Sequence, residues 1–225
     1  MKRLRAAVIG IGYLGNFHVQ KYLSLPNVDL VALVETDDER RRDIAEKYDA
    51  PAYADYREIV DQVDLVSIVV PPARHFEIAR DFLNAGVHVL VEKPVTETVA
   101  QAEELIALAL QHECLFQVGH LERFNPAVIA LRERVTRPQF IGAQRFAPYK
   151  ARGTEVDVVL DLMIHDIDIV LSLVDSELIS ISSSGQTVVT GDIDMANARL
   201  EFADGCVAEL AASRASQDQV RAMTI

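Results

Sequence analysis

Three glycines near the N-terminus have the spacing of a phosphate-binding loop. Gly10, Gly12 and Gly15 form a GxGxxG pattern between a strand-like run and a helix-like run, which is the setting that this pattern requires. The first glycine permits a tight turn, the second lets a pyrophosphate approach the backbone, and the third allows close packing of helix on strand. Amides at the start of the helix can then donate hydrogen bonds to phosphates. The pattern predicts a dinucleotide-binding loop, whose further contacts are expected from Ile11, Tyr13 and Leu14.

A carboxylate follows at the position where such a loop usually has its partner. Glu35 ends the second predicted strand, twenty residues after Gly15. A carboxylate there accepts hydrogen bonds from the adenosine ribose hydroxyls and repels a 2′-phosphate, which favours NAD over NADP. The alternative is a solvated acid at a strand end, because Asp37 and Asp38 stand close by in the sequence.

Two later segments carry groups that could do acid–base chemistry. Glu92 and Lys93 follow a predicted strand, and Asp161 precedes His165 by four residues in a predicted helix, so these two side chains share a face. The ordinary alternatives are a solvated strand end and a surface Asp–His pair. A metal site on Asp161, His165 and Asp168 is not expected, because the sequence offers no further convincing ligand.

Three residues near these segments have less specific expectations. Asp168 is expected to pack or to hydrogen-bond behind the site, and Asp166 to be solvated. For His120, contact with a substrate and a simple capping or packing role both stay open.

The first 120 residues alternate apolar runs with amphipathic stretches, and these elements must position the groups above. Runs that are apolar on both sides are typical of parallel strands covered by helices on both faces, so the order predicts a doubly wound Rossmann sheet. Asp37 or Asp38 caps one helix, Thr98 with Gln101 forms a capping box, and Gly86 ends another helix. The predicted strands are 4–9, 30–34, 65–70, 88–91 and 115–119; the predicted helices are 14–24, 38–48, 75–85 and one after Thr98 with Ala102, Leu105, Ile106 and Ala109 on its buried face.

The pattern changes after Arg123 to an α+β arrangement with a largely antiparallel sheet. Asp204 and Gly205 form a strong hairpin signal between two alternating runs. The sequence therefore predicts two domains, a dinucleotide-binding domain over 1–121 and a second domain over 122–225. The predicted helices of the second domain are 126–135 and 157–174, with a polar loop up to 156; its strands are 140–145, 178–184, 194–202, 207–212 and a last one that includes 223–225.

Composition and charge exclude several classes of function. No apolar run reaches the length of a membrane span, and the basic start is better read as a first strand than as a signal peptide, so a cytoplasmic location is expected. The net charge of −12 argues against nucleic acid or an anionic membrane as a partner. Cys114 and Cys206 form no metal-binding or CxxC motif, which favours reduced, buried thiols.

The glycine loop, the segment Val91-Glu-Lys-Pro94 and the run Asp161-Leu-Met-Ile-His165-Asp-Ile-Asp168 together resemble the Gfo/Idh/MocA oxidoreductases. This is the family of glucose–fructose oxidoreductase and inositol dehydrogenase, and the resemblance extends over the whole chain. It implies an NAD-dependent oxidoreductase in which Lys93 lies beside the nicotinamide and the substrate oxygen, His165 is the general acid/base, and Asp161 supports His165. It also implies that Pro71 and His75 line the cofactor cleft, and that Glu92 and Arg123 line the nicotinamide and substrate cavity.

The implied reaction is the oxidation of a secondary hydroxyl. A histidine that titrates near neutrality suits the transfer of the hydroxyl proton, and a lysine ammonium suits the developing alkoxide. Gly119-His-Leu-Glu-Arg-Phe-Asn-Pro126 and the segment around His165 resemble most the bacterial members that act on nucleotide sugars, which implies oxidation of UDP-N-acetylglucosamine to its 3-keto form. The alternatives are a dehydrogenase of free sugars or inositol, and a non-catalytic NAD-binding sensor.

The resemblance also carries an expectation about length and assembly. Members of the family usually continue beyond the position of Ile225, so the second domain is expected to be incomplete at its C-terminus, with an exposed sheet edge. Because this sheet often forms the subunit interface in the family, a homodimer or homotetramer through the C-terminal sheet is expected.

Overall fold

The computed structural model describes residues 3–150 and 156–225 and divides into two compact units, Met1–Gly119 and His120–Ile225. Part of the predicted polar loop, residues 151–155, lies outside the described residues. The strands of the first unit are β1 (Leu4–Ile9), β2 (Val28–Val34), β3 (Ala52–Tyr53), β4 (Leu65–Ile68), β5 (His88–Val91) and β6 (Phe116–Val118), and its α-helices are α1 (Tyr13–Ser24), α2 (Asp38–Tyr48), α3 (His75–Asn84) and α4 (Val99–Gln111).

The first unit is the predicted doubly wound fold. Its six strands are all parallel, in the order β3-β2-β1-β4-β5-β6. Strand β1 is buried on both faces, since Ala7 and Ile9 belong to one hydrophobic cluster and Val8 to another. The strand order reverses between β1 and β4, and the carboxyl ends of strands at such a reversal are where ligands bind in these sheets.

The predicted caps are confirmed, while strand β2 begins two residues earlier than predicted and some further details of the first unit also differ. Asp37 caps α2, and Thr98 with Gln101 forms the capping box of α4. Strand β4 ends two residues earlier than predicted, and the two-residue strand β3 was not predicted because so short a run has no period to detect. Ile106 was predicted on the buried face of α4 but is 51% exposed. Leu105, its neighbour in the helix, is buried, and successive residues of an α-helix point about 100° apart.

The second unit is an α+β unit around a five-stranded sheet. The sheet order is β11-β7-β10-β9-β8; β7 and β10 are parallel, and the other pairs are antiparallel. The predicted hairpin joins β9 and β10, and Gly205 adopts the positive φ of +90° that its turn requires. The strands are β7 (Phe140–Phe146), β8 (Leu178–Gln186), β9 (Met195–Phe202), β10 (Val207–Ser213) and β11 (Val220–Thr224), and the α-helices are α5 (Pro126–Arg134) and α6 (Ile164–Leu173).

One face of this sheet is covered and the other is open among the described residues. Ile141, Leu200 and Leu210 pack in one cluster with Val128 of α5 and Val170 of α6. The opposite face carries a shallow groove of about 730 Å³, lined mostly by small and polar residues of the strands. In the part of the chain that the structure describes, no helix is long and apolar enough to cross a membrane.

The predicted helix 157–174 is present but does not begin as an α-helix. Residues Val159–Met163 form a π-helical turn, and α6 follows directly from Ile164. Asp157 caps this start, because its Oδ1 accepts the amides of Val159 and Leu160 at 2.9 and 3.0 Å. Single π-helical turns are frequent at functional sites. The turn contains Asp161, so its spacing to His165 is not that of a plain α-helix.

Candidate active site

The glycine loop has the backbone geometry that phosphate binding requires. Gly10 has a φ of +86°, and a Cβ there would lie 2.4 Å from the carbonyl oxygen of Val69. A Cβ on Gly15 would lie 2.0 Å from the carbonyl oxygen of Gly10, so the third glycine is required by the loop itself more than by β1. A Cβ on Gly12 would meet nothing within 4 Å, which leaves open space at the start of α1.

Glu35 is a buried partner of this loop and not a solvated acid. It is 7% exposed, and its Oε2 accepts the amide of Ile11 at 3.2 Å while its Oε1 accepts the amide of Asp37 at 3.1 Å. The guanidinium of Arg40 lies 3.4 Å from Oε2. The carboxylate is therefore fixed at the edge of the glycine loop, as its predicted role requires.

The loop and Glu35 line a cleft of about 550 Å³ within the first unit. Pro71, predicted to line the cofactor cleft, is part of its wall, together with Tyr56 and Val70. Open space at Gly12, a helix N-terminus and a fixed carboxylate fit a dinucleotide with free ribose hydroxyls. Three arginines that the sequence did not single out also line the cleft, namely Arg40, Arg57 and Arg74.

Glu92 lies at the carboxyl end of β5 and pairs with a residue that the sequence analysis missed. The Nε2 atom of His18, on α1, lies 3.2 Å from Oε1 of Glu92, and the two side chains are only 12% and 8% exposed. Gly119 makes room for this carboxylate, because a Cβ there would lie 2.7 Å from Oε1 of Glu92. Nothing in the sequence around His18 indicates this pair, since its partner is 74 residues away.

Lys93 is half-buried directly after Glu92 and precedes a cis peptide bond to Pro94. His75 fixes the backbone of this segment, because its Nδ1 is hydrogen-bonded to the carbonyl of Pro94 at 2.7 Å and its Nε2 to that of Val70 at 2.9 Å. Burial lowers the pKa of His75, and the two hydrogen bonds oppose that shift. With 1% exposure, the ring serves to join two loops. Direct cofactor contact by His75 stays a prediction, and the ring's hydrogen bonds do not favour it.

In the second unit, Asp161 lies in the π-helical turn and His165 in the first turn of α6, and both are half-buried. The prediction that Asp166 is solvated is wrong. Asp166 is 6% exposed, and it accepts two hydrogen bonds from the buried guanidinium of Arg145, at 3.0 and 2.8 Å. Arg145 lies on β7, so a contact between helix and sheet, invisible in the local sequence, buries this acid.

Asp168 hydrogen-bonds as predicted, and its partner is Arg123. The Nε and Nη2 atoms of Arg123 donate to the two carboxylate oxygens at 2.7 and 2.6 Å, and these hydrogen bonds raise the pKa of Arg123. The Nδ1 atom of His120 lies 4.0 Å from the same carboxylate. The structure therefore groups His120, Arg123 and Asp168, while a role of the first two in substrate binding stays a prediction.

Comparison with known proteins agrees with the division of the chain into two units. The model of the oxidoreductase family with an NAD-binding Rossmann fold, Gfo/Idh/MocA, matches residues 4–120, and the model of a Gfo/Idh/MocA C-terminal domain matches residues 133–225. The chain is 38% identical to UDP-N-acetylglucosamine 3-dehydrogenase of Acidithiobacillus ferrooxidans, over 100% of this chain and 72% of the relative. A solved structure of that enzyme superposes with a TM-score of 0.92, over 99% of this chain and 74% of the other.

More distant relatives include scyllo-inositol 2-dehydrogenase (NAD+) of Bacillus subtilis, which is 26% identical over 95% of this chain and 68% of the relative. GenD2 from gentamicin A biosynthesis, solved in complex with NAD, has a TM-score of 0.90 over 99% of this chain and 69% of the other; at 22% identity it shows the fold alone. The matched models cover both units, and the chain therefore belongs to the Gfo/Idh/MocA family of NAD-dependent oxidoreductases.

Proposed function

We propose that this dehydrogenase oxidises the 3-hydroxyl of UDP-N-acetylglucosamine, with NAD as the hydride acceptor. The observation that carries the proposal is the 38% identity, along the whole chain, to an enzyme named for that reaction. Lys93, Asp161 and His165 supply the groups that the chemistry needs, and they are the proposed catalytic residues.

The proposed mechanism assigns one task to each residue. Bound NAD would supply the acceptor for the hydride that leaves the substrate carbon, and the glycine loop with Glu35 would hold it. His165 takes the hydroxyl proton, and Asp161 orients the imidazole and stabilises its charged form. The ammonium of Lys93 stabilises the negative charge that develops on the substrate oxygen.

The proposed binding residues form two sets, one for the cofactor and one for the substrate. We propose that the glycine loop holds the pyrophosphate, that Glu35 accepts the adenosine ribose hydroxyls, and that Glu92 lies near the nicotinamide. The full proposed cofactor set is Gly10, Ile11, Gly12, Tyr13, Leu14, Gly15, Glu35, Pro71, His75, Glu92 and Lys93; of these, His75 would act through the two loops that its ring joins. The proposed substrate set is Lys93, His120, Arg123, Asp161 and His165.

A second candidate is the oxidation of inositol or a free sugar. It is supported by relatives named as inositol dehydrogenases, at lower identity over most of this chain. Both candidates use the same catalytic residues, so they differ in substrate and not in mechanism.

The test is NADH formation, followed at 340 nm, with NAD and a panel of UDP-sugars, free sugars and inositols. We expect turnover of UDP-N-acetylglucosamine, and a fall in kcat of about 10²- to 10⁴-fold in His165→Ala, the usual contribution of a general acid or base. Lys93→Ala should lose turnover as well, while Lys21→Ala and His112→Ala serve as matched controls outside the proposed site. Turnover of inositols alone would select the second candidate. No turnover with NAD still bound would favour a sensor.

We also propose a homo-oligomer formed through the open face of the second sheet, and a cytoplasmic location. The open, shallow groove on that face supports the first proposal. The two free cysteines, Cys114 and Cys206, support the second, because free thiols are usual in a reducing compartment.

A further inference from the structure

A buried carboxylate at the start of β9 organises the loop before it. Asp194 is completely buried, and its Oδ2 accepts the amides of Val188, Val189 and Thr190 at 2.8, 2.6 and 2.8 Å. Its Oδ1 accepts the hydroxyl of Thr190 at 2.7 Å. Burial acts to raise the pKa of Asp194, but these hydrogen bonds outweigh it and hold the pKa below its ordinary value. The carboxylate is therefore charged throughout the neutral range.

Arg214, just after β10, balances this charge and extends to a different part of the chain. The guanidinium is 4% exposed, and its Nε lies 3.4 Å from Oδ1 of Asp194. Its Nη2 donates to the carbonyl oxygens of Val156 at 2.6 Å and Ile193 at 3.2 Å. One buried cation thus connects the end of β10, the start of β9 and the segment that leads into the helix of His165.

Residues 156–158 are also joined to Ile193 by a backbone hydrogen bond. The amide of Val158 donates to the carbonyl of Ile193 at 2.9 Å, and the Val158 side chain is completely buried. The carbonyl of Asp157 accepts the amide of Asp161 at 3.0 Å, within the capped start of the helix. A shift of residues 156–158 would therefore be passed directly to Asp161.

We infer that Asp194 and Arg214 are positioning residues for the catalytic helix. They fix the place of the π-helical turn, and with it the position of Asp161 relative to His165. They act through the helix backbone and not on the substrate. The inference rests on the catalytic roles of Asp161 and His165 under the proposed function.

The test variant is Arg214→Lys, which keeps the charge beside Asp194 but removes the fork that reaches Val156 and Ile193. We expect hydrogen exchange of the amides at 158–160 to become about tenfold faster, because local opening is governed by local contacts, while the amides of β9 and the Kd for NAD stay unchanged. In turnover, kcat should fall by about 10- to 100-fold with little change in KM, since small displacements of catalytic groups cost that much. The apparent pKa in the pH profile of kcat should also shift.

Arg5→Lys is the control in the first unit, because Arg5 pairs with Asp64 through its guanidinium at a more exposed site. Thr190→Val, which removes the 2.7 Å hydrogen bond to Asp194 together with the 3.1 Å hydrogen bond from the amide of Asp192, should give a smaller change of the same kind if Arg214→Lys does not fold. Faster exchange confined to 158–160 supports the inference even if the substrate panel gives no turnover, in which case only the proposed function fails. Unchanged exchange there, or equal acceleration throughout the second unit, overturns it.

Discussion

Glu35 is held by the loop whose ligand it is proposed to select. Its carboxylate is anchored by the amides of Ile11 and Asp37, so its position does not depend on the bound cofactor. Arg40 lies beside it at 3.4 Å and lines the same cleft. At the scale of single residues, the proposed preference for NAD over NADP therefore rests on one buried acid placed next to a cation.

We predict that Glu35→Ser weakens NAD binding and allows NADP to bind. Loss of a hydrogen bond to a charged group costs about 1.5–3 kcal/mol, which corresponds to a rise in the Kd for NAD of about 10- to 100-fold. The Kd for NADP should fall, because a carboxylate no longer repels the 2′-phosphate and Arg40 becomes available to it. Isothermal titration calorimetry with both cofactors measures the two values.

The control for this prediction is Asp37→Ser. Asp37 caps α2 by accepting the amide of Arg40 at 2.8 Å, and serine is also a good cap, so the ratio of the two Kd values should stay as it is. An unchanged ratio in Glu35→Ser would show that another residue excludes NADP.

At the scale of elements, two arginine–carboxylate pairs hold the helix that carries His165. Asp166 pairs with Arg145 on β7, and Asp168 pairs with Arg123 in the turn before α5. Because successive residues of an α-helix point about 100° apart, the two acids lie on either side of His165 around α6, and helix, sheet and turn are joined there. Breaking a buried pair is costly because the remaining charge has no solvent to stabilise it.

We predict that Asp166→Asn lowers the free energy of unfolding by about 3–5 kcal/mol, the usual cost of leaving one charge of a buried pair. Urea unfolding followed by circular dichroism measures the loss. Glu201→Gln is the matched control, because its pair with Arg199 at 3.0 Å is exposed and should contribute at most about 1 kcal/mol. Equal losses in the two variants would contradict the buried pair's role in holding α6.

At the scale of the whole molecule, the open face of the second sheet is the surface proposed for assembly into a homo-oligomer. The strands there present small and polar side chains, among them Ser182, Asn197 and Ala211. Strands β7, β10 and β9 are covered on their other face by α5 and α6. A second copy of the same sheet is the proposed cover for the open face.

We predict that the protein elutes with the mass of two or four chains, and that Ala211→Arg shifts it to the monomer. A bulky, charged side chain in the middle of a self-complementary surface meets its own copy across the interface. Size-exclusion chromatography with light scattering measures the mass. Ala107→Arg, at an exposed position of α4, is the control and should leave the mass unchanged. A wild-type protein that elutes as a monomer would contradict the proposed homo-oligomer.

The sequence by itself determined the features that depend on near neighbours. The glycine loop, the caps at Asp37 and Thr98 and the hairpin at Gly205 are recognisable because each is fixed by contacts within a few residues. The all-parallel first sheet was also predictable, since its central strands are apolar on both faces. Resemblance to a known family added the candidate catalytic residues, which the local pattern alone left open.

Only the tertiary structure decided how the charged side chains are paired. His18 with Glu92, Asp166 with Arg145, and Asp194 with Arg214 join residues that are 74, 21 and 20 positions apart. Aspartate at the surface and aspartate in a buried pair look alike in a sequence, because burial is set by which strand or helix packs against them. The solvated reading of Asp166 failed for this reason. The topology places an oppositely charged arginine beside the aspartate, and this arginine offsets the free-energy cost of burying the charge.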